Sequence, residues 1–530
     1  MSTSLLRAED IGDEAPPGRH FMPGGPRLTP AALVGSVVVV LAAFAARAVG
    51  LVRGFELWLD EMLYASLGHS VSLGSVPTLP DGPFFLHPPG YFLAEAAVIN
   101  LFGIEGNSMD LVLQLRWLNA VIGALSIGLA FLLVWRVGNP IAAWATAGVL
   151  AVEPFVLRNN SRVFLETLGM AAALAGLLII VAVMIRPRSR YRVAKQLAAG
   201  LLLGYAVLTK DVYVLATVAP VLAAALWRRT LPLRDALRIL TATAVPYTVY
   251  LIFLAVNGLL DAWVWAKTNG IRRMIGIEQT TGFNEEGSPS LIGRLLDQLG
   301  QFGTSYLLLA IGPVTGVILC FSKVASRRLV GLTALVLGMF GVYSAAFGTL
   351  EEQYGYPVLF VGALSAGVCA VELVERRARW RTPVILFAVA FVALAGALGI
   401  RALVTVDNGF VQVRTWMQEN LPADALISVS NSTGEVAFDD DPRVGVWPSA
   451  PLMQEAGANY IITQDLPTSL GYGYARPEML EWLKANADPV FSAAGPTNGM
   501  TVVWRVDDAV LAQGAADDIG SPAATFETER

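Results

Sequence analysis

The sequence has few cysteines and few charged residues, and each shortage excludes a class of protein. The two cysteines among the 530 residues, Cys320 and Cys369, lie in apolar segments with no CxxC or histidine spacing around them. The pattern therefore does not indicate a disulfide framework or a zinc site. Charged residues make up 15% of the chain and hydrophobic residues 55%, with a mean hydropathy of +0.57. A soluble domain of this size needs more polar surface, so the chain is predicted to be a polytopic helical membrane protein.

Several motifs are also missing. The chain contains no P-loop and no glycine-rich nucleotide fingerprint, so the sequence does not indicate a nucleotide-binding site. Residues 1–29 lack the charged start, short apolar core and cleavage site of a secretory signal, so the first apolar span is expected to stay as an anchor. The net charge of -5 is unevenly distributed, since arginines cluster in some short loops and acids in others. That layout reports membrane orientation and does not indicate nucleic-acid binding.

Apolar segments of roughly 20 residues, the length needed to cross a bilayer, recur along the chain. Eleven are predicted as membrane spans, at residues 31–51, 115–135, 141–157, 165–185, 197–208, 212–227, 236–256, 302–321, 329–347, 358–374 and 384–403. Residues 91–102 are ambiguous. Four loops are rich in basic residues, at positions 186–192, 228–234, 323–328 and 376–381. Counting residues 91–102 as a span would place all four outside, against the positive-inside rule. They are therefore predicted to form a helix on the outer surface, within one long external loop at residues 52–114.

This topology predicts a multi-pass protein of the plasma (inner) membrane with a cytoplasmic N-terminus. Residues 1–29 are predicted to be disordered and residues 30–406 to form the membrane domain. Beyond it the hydropathy drops, and alternating strand and helix patterns predict a small extracytoplasmic α/β domain at residues 407–508. The tail, residues 509–530, is rich in Gly, Ala, Ser, Pro and acids and is predicted to be disordered.

The external loop begins with adjacent carboxylates, Asp60 and Glu61, one helical turn before Tyr64. It continues to the segment HPPGY, which runs from His87 to Tyr91. Ionisable groups at the mouth of a membrane span are candidates for function. An acidic pair at a helix start can act as a base, bind a metal, or simply favour the positive end of the helix dipole.

Other motifs follow in the same compartment. They are EPFVLRNNSRVFLETLG at residues 153–169, GYAVLTKDVYVL at 204–215 and QYGYPVLF at 353–360. Taken in this order with the Asp-Glu pair and HPPGY, they resemble the C-type (GT-C) integral membrane glycosyltransferases, and within them the protein O-mannosyltransferase and aminoarabinose-transferase group. The resemblance covers about residues 31–406. It implies a GT-C fold, a polyprenyl-phosphate-linked sugar as donor, and an extracytoplasmic acceptor that is a protein, a lipid or a cell-envelope glycan.

The resemblance also implies roles for individual residues. Asp60 is the expected general base, with Glu61 supporting it or binding a metal. Residues expected to bind the donor phosphate are His87, Arg158, Arg162 and Lys210. Glu166 is a candidate second acid, and the substrate path is expected to include Tyr64, Tyr91 and Tyr354. The resemblance specifies no cofactor besides the polyprenyl-phosphate sugar as donor substrate, and a divalent metal bound by Asp60, Glu61 or Glu166 stays open.

The residues themselves leave alternatives. Arg158 and Arg162 lie four apart and suit bidentate phosphate binding, but one of them can instead pair with Glu166. Lys210 can reach a phosphate or pair with Asp211. His87 can structure the Pro-Pro turn, and Tyr354 can belong to an interfacial aromatic belt. Glu351, Glu352, Arg272 and Arg273 are interpreted as solvated loop charges.

Two other functions are open at this stage. A transporter or lipid-linked sugar flippase also needs many spans and a few charges, but it typically places binding residues at the bilayer midplane between internal repeats. No repeat is evident here. A scaffold whose C-terminal domain binds a partner is the third reading.

Overall fold

The computed structural model describes residues 28–51, 54–80, 82–277, 290–347 and 352–521. The predicted disorder of residues 1–29 and of the last residues of the tail lies almost entirely outside these ranges, as does Glu351. The membrane region is built from helices joined by short loops. Their bounds are α1 Pro30–Ala48, α2 Leu59–Ser72, α3 Gly90–Phe102, α4 Ser108–Val137, α5 Pro140–Val152, α6 Pro154–Asn160, α7 Leu165–Ile185, α8 Arg192–Thr209, α9 Val218–Leu226, α10 Leu233–Val256, α11 Leu260–Met274, α12 Leu291–Asp297, α13 Leu299–Cys320, α14 Ala325–Ala346, α15 Glu352–Arg376 and α16 Arg381–Val404.

Each of the eleven predicted spans coincides with helix, but not each helix is a full span. Among the described residues, eight helices are long and apolar enough to cross a membrane, namely α1, α4, α7, α10, α13, α14, α15 and α16. The pair α5 and α6 is bent by 65° and makes a ninth if counted as one span. The segments predicted at 197–208 and 212–227 form α8 and a short 3-10 turn, Asp211–Leu215, followed by α9. The structure thus supports eight or nine full membrane spans among the described residues, whereas the eleven predicted spans correspond to eleven apolar segments.

The bend between α5 and α6 has a local cause. The residue before a proline is driven out of the helical region, and Glu153, which precedes Pro154, has φ -63° and ψ 124°. Its carboxylate accepts a hydrogen bond from the backbone N–H of Val156 at 2.8 Å and so caps α6. The bend brings Arg158 to the inner side of the helix bundle.

The charges separate the bundle into two ends. At one end Arg192 pairs with Asp235, Arg328 donates to Thr230 at 2.8 Å, and Arg327 binds Glu372 at 2.8 Å. These residues belong to the loops predicted to be cytoplasmic. The first loop and the ends of α8 and α15 that carry the candidate site residues lie at the opposite end. The structure therefore groups the predicted external residues together.

The first loop is a compact cap. It contains α2, a two-stranded hairpin of β1 Thr78–Leu79 and β2 Gly82–Pro83, and α3. Helix α3, predicted as the surface helix at 91–102, has 13 residues. At about 1.5 Å per residue it is too short to cross a hydrocarbon core about 30 Å thick.

The C-terminal domain is α/β, as predicted. Its elements are α17 Gly409–Asn420, β3 Ile427–Val429, α18 Ser432–Ala437, β4 Val444–Gly445, α19 Ala450–Ala456, β5 Tyr460–Gln464, α20 Asp465–Ser469, α21 Pro477–Asn486, β6 Asp488–Gly495, β7 Gly499–Arg505 and α22 Asp508–Ala516. The sheet order is β4-β3-β5-β7-β6, with β3 parallel to β4 and β5, and β7 antiparallel to its two neighbours. Sequence patterns missed β4, β6 and the short helices.

The tail is more ordered than predicted. Helix α22 falls in the stretch expected to be disordered, and its Leu511 is buried in a cluster with Met453 of α19. An apolar side chain with a partner to pack on offsets the entropy of ordering this segment.

The domain sits on the first loop and shares its core. Phe410 and Phe438 belong to the same buried cluster as Leu67 of α2 and Leu115 of α4. Ser108 also donates a 2.6 Å hydrogen bond to Asp439. The α/β domain and the first loop therefore lie at the same end of the bundle.

Close helix packing positions the end of α8, where Lys210 lies. A Cβ at Gly200 would clash with Ile239 and Ala242 of α10, which is the small-residue contact that lets membrane helices approach closely. We expect Gly200→Ala to destabilise the protein by about 1–3 kcal/mol, because overpacking a tight contact forces the helices apart. The thermal unfolding midpoint in detergent measures this effect.

Gly148→Ala is the matched control, since a Cβ there meets nothing within 4 Å. An equal effect of the two substitutions would contradict the role assigned to the contact between α8 and α10.

Candidate active site

Glu61 is held by a buried two-pronged ion pair. Arg116 of α4 donates to its two carboxylate oxygens at 3.0 and 2.8 Å, and the backbone N–H of Val163 donates to one of them at 2.9 Å. Arg116 also binds the backbone oxygens of Leu51 and Glu56 at 2.9 and 2.8 Å. Glu61 and Arg116 are 0% exposed. These contacts favour the supporting role for Glu61, because its oxygens are already bound by donors.

Asp60 faces a different set of partners. Its carboxylate accepts a hydrogen bond from the side-chain amide of Gln353 at 2.9 Å. The oxygen of the same amide accepts from the ammonium of Lys210 at 2.5 Å. Lys210 also forms an ion pair with Glu166, and its ammonium lies 5.5 Å from the centroid of the Tyr354 ring. The expected base and one expected phosphate ligand are thus joined through one residue.

Arg158 and Arg162 converge on the carboxylate of Glu56. Arg158 binds Glu56 at 2.7 Å and Glu352 at 3.0 Å, and Arg162 also pairs with Glu56. The spacing of four residues predicts that Arg158 and Arg162 share one face of a helix, but helix α6 ends at Asn160 and Arg162 lies just beyond it, so this prediction is wrong. Neither arginine pairs with Glu166, which binds Lys210 instead. Both guanidinium groups are therefore neutralised by carboxylates beside the site.

His87 lies near several cations. The hydroxyl of Tyr64 and Nε2 of His87 are 3.2 Å apart, which places these two predicted residues together. Burial and the nearby charges of Lys210 and Lys267 hold the pKa of His87 well below its ordinary value. The ring is therefore neutral at physiological pH. It offers a hydrogen bond to a substrate and adds no positive charge.

Tyr91 and Asp211 have structural partners. Tyr91 is 0% exposed and donates to Asn119 at 2.9 Å, which places it in the packing of the first loop and not on a substrate path. Asp211 pairs with Lys267 of α11 and accepts from Tyr247 at 2.7 Å, so the alternative of an Asp211–Lys210 pair is wrong. Lys267 also donates to the backbone oxygen of Leu86 at 2.8 Å, next to His87.

The α/β domain reaches the arginine cluster through Asp407. Thr497 donates to the carboxylate of Asp407 at 2.5 Å. Burial, then the neighbouring Glu56 carboxylate, raises the pKa of Asp407 to about 7. Burial alone would also raise the pKa of Glu56, but Arg158 and Arg162 hold it well below its usual range. A cavity of about 70 Å³ lies at this junction, lined by Arg158, Gln301, Arg401, Asp407 and Thr497 among others.

Part of the chain matches a family model, and its fold is similar to that of solved structures. Residues 105–272 match the family model described as dolichyl-phosphate-mannose-protein mannosyltransferase. The structure is similar to the Archaeoglobus fulgidus oligosaccharyltransferase AglB in complex with an inhibitory peptide and a dolichol-phosphate, with a TM-score of 0.56, 12% identity, and coverage of 89% of this chain and 74% of that one. It is also similar to ArnT from Cupriavidus metallidurans bound to undecaprenyl phosphate, with a TM-score of 0.52, 15% identity, and coverage of 91% and 99%.

The chain has the GT-C fold. The predicted fold class and the resemblance from which it came are confirmed, and family match and fold together support a membrane glycosyltransferase. No curated protein matches the sequence. At these identities the likeness extends to the fold, so the roles of individual residues rest on the geometry of this GT-C site.

Among the residues that the structure describes, the acidic side chains of the GT-C site do not form a metal-binding set. Within the described part of the chain, no three His, Cys, Asp or Glu side chains come together as ligands. Of the three predicted candidates, Glu61 is bound by Arg116 and Glu166 by Lys210. A divalent ion would have to displace a bound cation at either residue, and no step is derived through a metal.

Four residues of the GT-C site were not among the predicted ones. Arg116 carries a recognisable signal, since it is a lone charge in the apolar stretch LQLRWLN, and Glu56 is separated from the Asp60-Glu61 pair by three apolar residues. Gln353 opens the motif QYGYPVLF but is uncharged. Asp407 lies at the predicted domain boundary, where sequence gives no reason to expect contact with residue 56.

The Asp407 carboxyl makes stability depend on pH. Its pKa is raised in the folded protein, so the folded state keeps a proton that the unfolded state loses, and stability falls as pH rises from the ordinary value of about 4 to about 7. Asp407→Asn has no such proton. We expect the difference in melting temperature, Asp407→Asn minus wild type, to increase from pH 5 to pH 7 and then to stay constant up to pH 9.

Asp424→Asn, which changes an exposed acid of the same domain, is the control and should follow the wild-type curve. A difference between Asp407→Asn and wild type that does not change with pH would show that the raised pKa of Asp407 does not contribute to folding.

Proposed function

We propose that the protein transfers a sugar from a polyprenyl-phosphate carrier to an acceptor outside the cytoplasm. The observation that carries the proposal is the link from Asp60 through Gln353 to Lys210. A carboxylate and an ammonium group are the two charges that such a transfer needs, and one amide group separates them. The resemblance of the fold to proteins crystallised with dolichol-phosphate and undecaprenyl phosphate supports the choice of donor.

In the proposed reaction the acceptor oxygen attacks the anomeric carbon of the sugar. Its proton passes to Asp60, because a neutral hydroxyl is a poor nucleophile without a base. The bond between the anomeric carbon and the phosphate oxygen breaks, and its electron pair leaves with the polyprenyl phosphate. A single displacement of this kind inverts the anomeric configuration.

Lys210 is the proposed partner of the departing phosphate, on which negative charge grows as the bond breaks. Arg158 and Arg162 each have a carboxylate partner, so we assign them first to holding Glu56 and the start of α15, and second to the donor. His87 donates or accepts a hydrogen bond as a neutral ring. Glu61 fixes the helix turn that carries Asp60.

The site is proposed to face the outside of the plasma membrane. The arginine-rich loops lie at the opposite end of the bundle, and short loops rich in Lys and Arg stay cytoplasmic. The carrier lipid would then lie in the outer half of the bilayer beside the first loop, with the acceptor arriving from the side of the α/β domain.

Replacement of Asp60 tests the chemistry. We expect Asp60→Asn to lower the rate of sugar transfer by about 10²–10⁴-fold, the usual contribution of a general base, while the fold is kept because the amide still accepts from Gln353. The assay supplies purified protein with a panel of polyprenyl-phosphate sugars and candidate acceptors, and detects the glycosidic product by mass spectrometry.

Asp424→Asn is the matched control and should retain full activity. Full transfer by Asp60→Asn would remove Asp60 from the role of base. Movement of labelled lipid across liposomes without formation of a glycosidic bond would point to the transporter considered above.

Cysteine labelling tests the orientation. Cys320 and Cys369 are buried, so new cysteines can be read against a low background. We expect Ser75→Cys in the first loop to react with a membrane-impermeant maleimide in intact cells, and Ser189→Cys in the loop before α8 to react only after the membrane is opened. Reaction of the two positions from the same side would exclude the proposed topology.

A further inference from the structure

The first turn of α15 contacts three charged groups of the candidate site. Glu352 binds Arg158 at 3.0 Å, Gln353 binds Asp60 and Lys210, and the ring of Tyr354 lies 5.5 Å from the Lys210 ammonium. Three consecutive residues thus meet the arginine cluster, the carboxylate and the lysine. Of the three, Gln353 alone touches the two groups to which the proposed function gives chemical roles.

The amide of Gln353 matches the charges on its two sides. Its N–H donates to the Asp60 carboxylate at 2.9 Å, and its oxygen accepts from Lys210 at 2.5 Å. A primary amide presents a donor and an acceptor on one planar group. A carboxylate at this position would repel Asp60, and an ammonium would repel Lys210.

The amide also separates two opposite charges. A direct ion pair between Asp60 and Lys210 would stabilise the carboxylate, lower its pKa and weaken it as a base. Lys210 has Glu166 as its own counter-charge, so Asp60 is not required for neutrality. With Gln353 between them, Asp60 and Lys210 are held close together and are kept from neutralising each other.

From these contacts we propose that Gln353 is the positioning residue of the reaction, a neutral bridge that sets the distance between the base Asp60 and the donor-phosphate lysine Lys210. This inference rests on the proposed function and adds a residue to it. Gln353 takes no proton and forms no bond to the sugar. It fixes the geometry and the basicity of the groups that do.

Two substitutions separate the functions of the amide. Gln353→Met keeps the length of the side chain and removes the two hydrogen bonds. We expect it to lower kcat about 10–100-fold, with a smaller change in KM for the donor. The reason is that Asp60 and Lys210, when loosely held, are seldom in the correct positions at the same time. Gln353→Glu places a second carboxylate beside Asp60. We expect it to move the acid limb of the pH-rate profile upward by about one pH unit or more, since a like charge raises the pKa of Asp60.

Gln114→Met and Gln114→Glu are the matched controls. Gln114 is an exposed glutamine of the external loop whose amide binds backbone oxygens of its own segment, Glu105 at 3.2 Å and Asp110 at 3.2 Å. These variants should keep the wild-type rate and pH profile. Thermal unfolding of all four variants shows whether α15 still folds.

The outcomes are distinct. If Gln353 only helps α15 to begin, its variants lose heat stability while kcat per folded molecule and the acid limb stay at the wild-type values, and the inference is overturned. A second outcome is that wild type transfers sugar and Asp60→Asn does not, but Gln353→Glu has an unshifted pH profile. The proposed function is then supported, and the proposed role of Gln353 is rejected. If wild type transfers no sugar from any polyprenyl-phosphate donor, the proposed function itself fails.

Discussion

The buried ion pair of Glu61 with Arg116 is the interaction on which the geometry of the site depends. Taking two charges out of water is unfavourable by several kcal/mol per ion, and a buried pair persists only when its geometry is good and the remaining hydrogen bonds are satisfied. Here the two carboxylate oxygens are bound by the guanidinium, and the guanidinium also binds backbone oxygens of residues 51 and 56. The pair therefore fixes the start of α2 against α4 and the connection from α1. Asp60, one residue earlier on α2, is thereby turned toward Gln353.

Charges alternate outward from this pair, and Arg158, Arg162, Lys210 and Lys267 each lie beside an acid. Glu56 lies between Arg158 and Arg162, Glu166 binds Lys210, and Asp211 binds Lys267. In a poorly solvated setting such alternation limits the penalty for burying each ion. In the proposed reaction, a donor phosphate at Lys210 would compete with Glu166 for the same ammonium. Its affinity would then reflect the difference between the two anions, and Glu166 would replace the phosphate as it departs.

The class of fold and many of the charged residues of the candidate site could be predicted from the sequence, for physical reasons. Long apolar segments indicate a helical bundle, and the distribution of arginines between loops predicts that Asp60 and Lys210 lie at the same end of it, in agreement with the contact of each with Gln353. The sequence did not predict which acid pairs with which basic side chain. Whether Lys210 meets Asp211 or Glu166 depends on the 3-10 turn after α8, which rotates Asp211 toward α11. Whether residues 197–208 and 212–227 are full spans depends on that same turn, and hydropathy does not show it.

The role of Gln353 could not be predicted from the sequence, for a different reason. Charged residues in an apolar sequence stand out because burying them is unfavourable, while a glutamine next to a loop does not. A residue that separates charges has to be neutral, so the property that suits Gln353 to its place also hides it from a search for charge. The contact at the domain boundary was also not predictable from the sequence. Asp407 appears ordinary in sequence, and its raised pKa arises only because the α/β domain packs it against Glu56. That contact joins the domain to the arginine cluster, so a change in how the domain sits alters the partners of Arg158. The fold thereby provides a physical connection between the α/β domain and the charged residues of the candidate site, which in the proposed function joins the acceptor side to the donor side.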